Sequence, residues 1–176
     1  GEGTVVTRQL PGEASLAVEP LLDWLECNAA PDAGGRIYTW FNYGSYLAWR
    51  LPGYSESIDG RTIFPDSVAR VEAYTSGWLA PKTYHTWSSA DVAIVPRGFG
   101  VAATIDASPD WHLVAWSWAD PKHEERVGLW VRRAWWTRMG ETPLPARPHL
   151  QLASLHGAGP ACARRPRAAL AATEGQ

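Results

Sequence analysis

Helix-type and strand-type hydrophobic patterns alternate from residue 18 to residue 132, and this alternation constrains the fold more than any other feature. Four apolar residues recur at the i, i+3, i+4, i+7 spacing that predicts a helix over residues 18–27: Val18, Leu21, Leu22 and Leu25. Pro20 suits the first turn of that helix, where no backbone N–H is needed. The segment Arg36 to Asn42 is rich in β-branched and aromatic residues, which predicts a strand.

The same reading continues along the chain. It predicts helices over 44–51 and 66–74, and strands over 54–58, 90–95, 111–118 and 126–132. Alternating elements favour parallel strands, whereas two strands joined by one polar segment favour an antiparallel pair. The sequence therefore predicts an α/β fold. Its small mixed sheet has about five strands, the first three parallel and the last two an antiparallel pair, and helices flank it.

Composition divides the chain into three regions. Residues 1–15 are polar and contain glycine, and are interpreted as a linker. Residues 16–139 form the predicted α/β domain. Residues 140–176 are rich in Pro, Ala, Gly and Arg without amphipathic periodicity, and are predicted to be a disordered or loosely attached tail. Deleting such a tail should leave thermal unfolding nearly unchanged.

The charge balance excludes one class of partner. Eighteen acidic and sixteen basic residues give a formal net charge of −2, so no nucleic-acid-binding function is indicated. None of the five histidines belongs to an H-x-x-x-H or H-E-x-x-H pattern, so neither a metal nor another cofactor is expected. The two cysteines are Cys27, in a predicted helix, and Cys162, in the predicted tail, and we expect them not to pair.

Tryptophan is over-represented, with eleven residues against three phenylalanines. Buried packing is the common use of such side chains, and stacking on a sugar is the rarer one. Trp116 and Trp118 are two residues apart in one predicted strand and share a face, and Trp130 lies on the neighbouring strand. Exposure of these three rings would favour a carbohydrate-binding module.

Two segments are candidate sites because they follow predicted strands. Asp59-Gly60-Arg61 follows the strand at 54–58, and ligands in open α/β sheets bind beyond the carboxyl ends of strands. Asp59 is a candidate base or hydroxyl acceptor, but a locally stabilised turn explains the same residues. Tyr43 and Gly44 follow the first strand, where helix N–H groups can hold an anion, although close helix–sheet packing explains the glycine equally well.

A longer series of residues carries a family resemblance. In chain order it consists of Asn42-Tyr43-Gly44-Ser45-Tyr46-Leu47, Trp49, Leu51-Pro52, Ile58-Asp59-Gly60-Arg61, Ala90 to Val95, Pro109 to Val114 and Val127 to Arg132. The series resembles the C-terminal extracytoplasmic soluble domain of bacterial polytopic membrane proteins, some of which are similar to glycosyltransferases that use polyprenyl-linked sugars. Ser45 stands where that family has a second glycine.

The resemblance implies a non-catalytic accessory domain on the extracytoplasmic face of the bacterial membrane. Its partners would be the transmembrane portion of its own parent chain and a glycan or lipid-linked sugar. It adds Trp49 to Tyr43, Gly44, Asp59 and Arg61 as a candidate binding residue. We also expect apolar segments of about 20 residues upstream of Gly1 in the gene. The alternatives are a carbohydrate-binding module with exposed tryptophans and a small enzyme centred on Asp59 and Arg61.

Overall fold

The structure is a computed structural model that describes residues 13–30, 32–56, 86–118 and 126–152. Its helices are α1 (Glu13–Asn28), α2 (Phe41–Arg50), α3 (Gly100–Asp106) and α4 (Arg133–Met139), with a 3₁₀ turn at Thr86–Ser89. Its strands are β1 (Gly35–Thr39), β2 (Tyr54–Glu56), β3 (Val92–Pro96), β4 (Trp111–Trp118), β5 (Arg126–Arg132) and β6 (His149–Leu152). The predicted helix over 66–74 lies outside the described residues.

The strands form one mixed sheet in the order β2-β1-β3-β5-β4-β6. β2, β1 and β3 are parallel, and β5 pairs antiparallel with both β3 and β4. This confirms the predicted α/β class, the three parallel strands and the final antiparallel pair. The sheet also has a strand that the patterns did not predict, because β6 pairs parallel with β4.

Side chains alternate between the two faces of the sheet, and each face is covered. Ile37, Ile94 and Leu129 belong to a core cluster shared with α1, α2 and α4. Tyr38, Ala93 and Trp130 belong to a second cluster shared with α3 and the 3₁₀ turn. Every residue of β3 is buried, which explains its unbroken apolar run.

Trp130 and Gly128 show how one strand accommodates a large ring. A Cβ atom added to Gly128 would overlap the indole of Trp130, which folds back over the glycine. The indole Nε1 donates a hydrogen bond to Asp106 Oδ1 at 2.8 Å and is thereby satisfied inside the second cluster. Because only glycine leaves room for the Trp130 indole, packing requires a glycine at position 128.

Several element boundaries differ from the predictions. β1 ends at Thr39, and Phe41 and Asn42 form the first turn of α2, because Tyr43 and Leu47 repeat at i, i+4 and face the core. α1 begins at Glu13, so Pro20 lies inside the helix and not in its first turn. Neither α3 nor α4 was predicted.

The sheet continues beyond residue 139, because residues 140–152 contact the body of the domain. Trp136 Nε1 donates a hydrogen bond to the carbonyl of Thr142 at 2.7 Å, and the Glu141 N–H donates to Asn28 O at 2.8 Å. A ring nitrogen of His112, Nε2, lies 2.7 Å from the carbonyl oxygen of Pro145. β6 then completes the edge of the sheet beside β4. The remaining residues of the predicted linker and tail, 1–12 and 153–176, lie outside the described residues.

Candidate functional site

The largest polar cluster in the described part of the chain joins α1 to α2. Arg50, the last residue of α2, is 6% exposed and contacts three carboxylates of α1. Its Nε lies 3.1 Å from Glu19 Oε1, its Nη2 lies 2.8 Å from Asp23 Oδ1, and its Nη1 contacts Glu26. The acids occupy positions i, i+4 and i+7 of α1, so they lie along one side of the helix.

Electrostatics in this cluster strengthen the charged form of Arg50. Burial alone would lower the pKa of its guanidinium, but the hydrogen bond to Glu26 and the attraction of Glu19 outweigh burial and raise it. The hydroxyl of Tyr46 donates a hydrogen bond to Glu19 Oε2. Burial first, and then that hydrogen bond, raise the pKa of Tyr46 because both disfavour the tyrosinate.

Trp49 makes the surface of this cluster aromatic as well as acidic. Its side chain is 67% exposed, and its ring centroid lies 5.9 Å from that of Tyr46. We call the surface formed by these residues the acidic–aromatic face; its members are Glu19, Asp23, Glu26, Tyr46, Trp49 and Arg50. Three carboxylates and one guanidinium give it a formal charge of −2.

The carboxylates of the acidic–aromatic face can accept further hydrogen bonds. The side chains of Glu19 and Glu26 are 33% and 38% exposed, and each carboxylate has more lone pairs than its described contacts use. The face is therefore suited to cationic groups or to hydroxyl donors. The signal for it was in the sequence, since Glu19, Asp23 and Glu26 flank the apolar stripe of α1, but sequence reasoning did not connect them with Arg50.

The structure separates the five predicted binding residues. Trp49 is exposed, whereas Tyr43 is 2% exposed and packs its ring edge-on against Trp40 at 5.3 Å. Gly44 is buried. Tyr43 and Gly44 therefore do not line an open anion site. Asp59 and Arg61 lie outside the described residues.

A second aromatic group lies where β1 and β3 end. Since these strands are parallel neighbours, their carboxyl ends meet at one edge of the sheet. The ring of Trp40, after β1, lies 5.7 Å from that of Phe99, after β3, and Phe99 is 38% exposed. Beside them, Arg97 Nη2 lies 3.8 Å from Asp106 Oδ2. This edge is apolar, with one weak ion pair and no described cluster of titratable groups.

The tryptophans serve mainly as core. Trp24, Trp87, Trp111, Trp130, Trp135 and Trp136 are all buried. Trp24 stacks on Trp136 at 5.5 Å, and Trp135 Nε1 donates to Gly34 O at 2.9 Å. Trp130 is 1% exposed and Trp116 is half-buried under the guanidinium of Arg126. The sugar platform suggested for Trp116, Trp118 and Trp130 thus lacks the exposed Trp130 ring that it requires.

The prediction that the cysteines do not pair is wrong. Cys27, in the last turn of α1, is disulfide-bonded. The only other cysteine in the sequence is Cys162, which lies outside the described residues. The prediction rested on the argument that a cysteine in a predicted tail is a poor partner for one in a helix.

Among the described residues, no three His, Cys, Asp or Glu side chains are placed to share a metal ion. No helix in those ranges has the length and hydrophobicity that a membrane crossing requires. A comparison of the chain with protein-family models, with curated proteins and with solved structures found no match.

Proposed function

We propose that this chain is a non-catalytic, extracytoplasmic accessory domain of a bacterial multi-pass membrane protein related to polyprenyl-linked-sugar glycosyltransferases. The disulfide at Cys27 carries the proposal. Structural disulfides persist in oxidising compartments and are rare in the bacterial cytosol, where thioredoxin and glutathione keep thiols reduced. The family resemblance of residues 36–132 supplies the parent protein.

The use of the charged side chains supports a non-catalytic role. Arg50 is enclosed by Glu19, Asp23 and Glu26. Arg132 Nε donates to Ala90 O at 2.8 Å, and Arg133 Nε donates to Pro109 O at 3.0 Å. These cations bind carboxylates or backbone carbonyls of their own domain. These contacts stabilise the fold.

The compartment is tested on the full-length parent protein in its native membrane. Cells are quenched with acid, and thiols are labelled under denaturing conditions with a maleimide-linked polymer, before and after reduction. We expect reduction to add two labels per chain, from Cys27 and Cys162. In the matched control Cys27→Ser, the thiol of Cys162 should be labelled without reductant, and reduction should add neither of these two labels. Complete labelling of both thiols without reductant would overturn the proposed location.

The absence of catalysis is tested on the 176-residue chain itself. Incubation with a polyprenyl-phosphate sugar and an acceptor glycan should give neither transfer nor hydrolysis. Turnover that Asp59→Asn abolishes, while the unfolding midpoint stays unchanged, would support the small enzyme centred on Asp59 and Arg61 instead.

A further inference from the structure

The neighbouring parallel strands β1 and β3 send the chain to opposite faces of the sheet. After β1 the chain enters α2, whose Tyr43 and Leu47 belong to the first core cluster. After β3 it enters α3, whose Val101 and Ile105 belong to the second cluster. In open α/β sheets, ligands bind in the crevice beyond the carboxyl ends of two such strands, where the connections diverge. The topology therefore favours a ligand position where β1 and β3 end.

Hydrogen bonds fix the strand ends that border this crevice. The buried hydroxyl of Thr39, the last residue of β1, donates to Ile94 O of β3 at 3.0 Å. Directly after β3, the Arg97 N–H donates to Arg126 O of β5 at 2.7 Å. Because the backbone at this edge is held on both sides, a ligand would find the crevice already formed and would pay little for ordering it.

The side chains at the crevice are aromatic, and space is open beside them. The rings of Trp40 and Phe99 lie 5.7 Å apart and are tilted by 44°, and Trp40 also packs edge-on against Tyr43. With all its contacts in place, Phe99 remains 38% exposed. A Cβ atom added to Gly98 or Gly100 would meet no atom within 4 Å, so the loop has open space on both sides of Phe99. An exposed ring beside open space is suited to stacking on a planar group.

Arg97 brings a positive charge to the same loop. Its side chain is 33% exposed, and its Nη2 lies 3.8 Å from Asp106 Oδ2, which is a long ion pair between exposed groups. Asp106 also accepts a hydrogen bond from Trp130 Nε1 at 2.8 Å, so its carboxylate is held by a second donor. The described residues thus use few of the five N–H donors of the Arg97 guanidinium, whose planar fork matches carboxylates and phosphates.

We propose that the crevice at the ends of β1 and β3 binds a small ligand that carries a planar aromatic ring and an anionic group. The ring lies against Phe99 and Trp40, and the anionic group is bound by Arg97. Arg97 and Phe99 are two residues apart, so their Cα atoms are at most about 7 Å from each other and one small molecule can contact both side chains. The proposal does not depend on the parent protein or its compartment.

The ring contact is tested with adenosine monophosphate (AMP) on the full 176-residue chain. Millimolar AMP should shift the backbone amide resonances of residues 97–100 in the native chain. Phe99→Ala should weaken AMP binding at least about 5-fold in calorimetry, because stacking of a base on an aromatic side chain contributes that much or more. Trp49→Ala is the matched comparison, since Trp49 is 67% exposed on a different surface, and it should bind AMP like the native chain.

The anionic contact is tested by removing one charge from either partner. Arg97→Gln should weaken the binding of AMP but not that of adenosine, which has no phosphate. The matched control is Arg138→Gln, because Arg138 is exposed on α4 and its Nη1 donates to Ala134 O at 3.0 Å within the same helix. Unfolding midpoints of all variants are measured in parallel, and the resonance shifts of the native chain locate the ligand without any variant.

Four outcomes contradict the proposal. Resonances of residues 97–100 that do not move with millimolar AMP overturn the site itself. Binding that is lost in Trp49→Ala and kept in Phe99→Ala places the ligand on the acidic–aromatic face instead. Ribose phosphate that binds as tightly as AMP contradicts the ring contact. Equal affinities for AMP and adenosine in the native chain contradict the contact with Arg97.

Discussion

At the scale of single residues, Arg50 is buried and contacts three carboxylates of α1. Replacing it by Met keeps much of the apolar stem but removes the guanidinium that contacts Asp23, which is 8% exposed. Removing one partner of a buried pair costs about 3–5 kcal/mol because the other charge stays buried. We expect Arg50→Met to lower the free energy of unfolding by up to about 3–5 kcal/mol, measured by denaturant titration.

Glu26 provides the contrast for Arg50. Its side chain is 38% exposed, and exposed ion pairs contribute about 0–1 kcal/mol. Glu26→Gln should therefore change stability by less than about 1 kcal/mol. Equal losses in Arg50→Met and Glu26→Gln would show that burial of Asp23 does not determine the effect.

Gly128 is constrained by the ring of Trp130. Gly128→Ala places a methyl group where that indole lies, and overpacking of this kind costs about 1–3 kcal/mol. Gly98→Ala is the matched control, since a Cβ at Gly98 meets no atom within 4 Å. We expect a lower thermal midpoint for the first variant alone; similar midpoints would mean that the Trp130 ring moves aside at little cost.

At the scale of elements, the segment 140–152 determines how one edge of the sheet is completed. A chain ending at Gly140 loses β6 and removes the carbonyl of Thr142 that accepts from the buried Trp136. An unsatisfied buried donor alone costs about 1–3 kcal/mol. Both this chain and one ending at Leu152 should carry Cys27→Ser, so that neither has an unpaired thiol.

We expect the chain ending at Gly140 to unfold at a clearly lower temperature than the chain ending at Leu152, as followed by circular dichroism. This reverses the expectation from composition that everything after residue 140 can be removed without effect. Indistinguishable melting curves for the two chains would restore that expectation.

The elements also show which sequence signals were sufficient. β3 and the β4–β5 pair were predicted because long apolar or alternating runs specify strands without tertiary information. α3 and α4 have seven residues each, and their helical spacing is limited to positions such as Val101, Ala102 and Ile105. Two turns of helix carry too little periodicity to be recognised. β6 was missed because a four-residue edge strand is specified by its partner and not by its own pattern.

The candidate site was harder to predict for a physical reason. Trp49 was identified through the resemblance, but the cluster around Arg50 depends on two helices meeting at one angle. Spacing within α1 aligns Glu19, Asp23 and Glu26, yet nothing in the sequence states which cation they enclose. The sequence predicted Tyr43 and Gly44 at the end of a strand. In the structure α2 begins earlier, at Phe41, and both residues lie in this helix and are buried.

For the whole molecule, the disulfide at Cys27 restricts the unfolded chain. A cross-link that closes a long loop removes conformational entropy from the unfolded state, typically adding about 2–4 kcal/mol. The double variant Cys27→Ser and Cys162→Ser should lose that much in denaturant unfolding compared with the oxidised native chain. Reduction of the native chain should reproduce the loss, and a reduced chain as stable as the oxidised one would contradict the prediction.

Stability should also fall in alkali. Burial is the main reason that the pKa of both Tyr46 and Tyr54 lies above 10.0, with Glu19 and Glu26 respectively adding to it. Above pH 10.0 the unfolded chain releases these protons and the native chain keeps them, so unfolding becomes more favourable as pH rises. Below pH 10.0 both tyrosines are protonated in the folded and the unfolded chain, so their contribution to the free energy of unfolding is fully present.

The alkaline effect is measured as the unfolding free energy between pH 9 and pH 11, with tyrosinate absorbance followed in parallel. Replacing both tyrosines by Phe should make the decline with pH shallower. An unchanged slope in that double variant would assign the decline to other groups.

The hydrogen bond from the Ser117 hydroxyl to Ala17 O joins residues 100 positions apart, and α1 packs on strands that end at Arg132. A ribosome adds about 5–20 residues per second, so the strands that cover the apolar side of α1 are completed about 5–20 s after α1 itself is synthesised. During that interval the newborn chain presents Val18, Leu21 and Leu25 uncovered. Residues 17–25 are therefore an apolar stretch of this domain that a holding chaperone would recognise during synthesis.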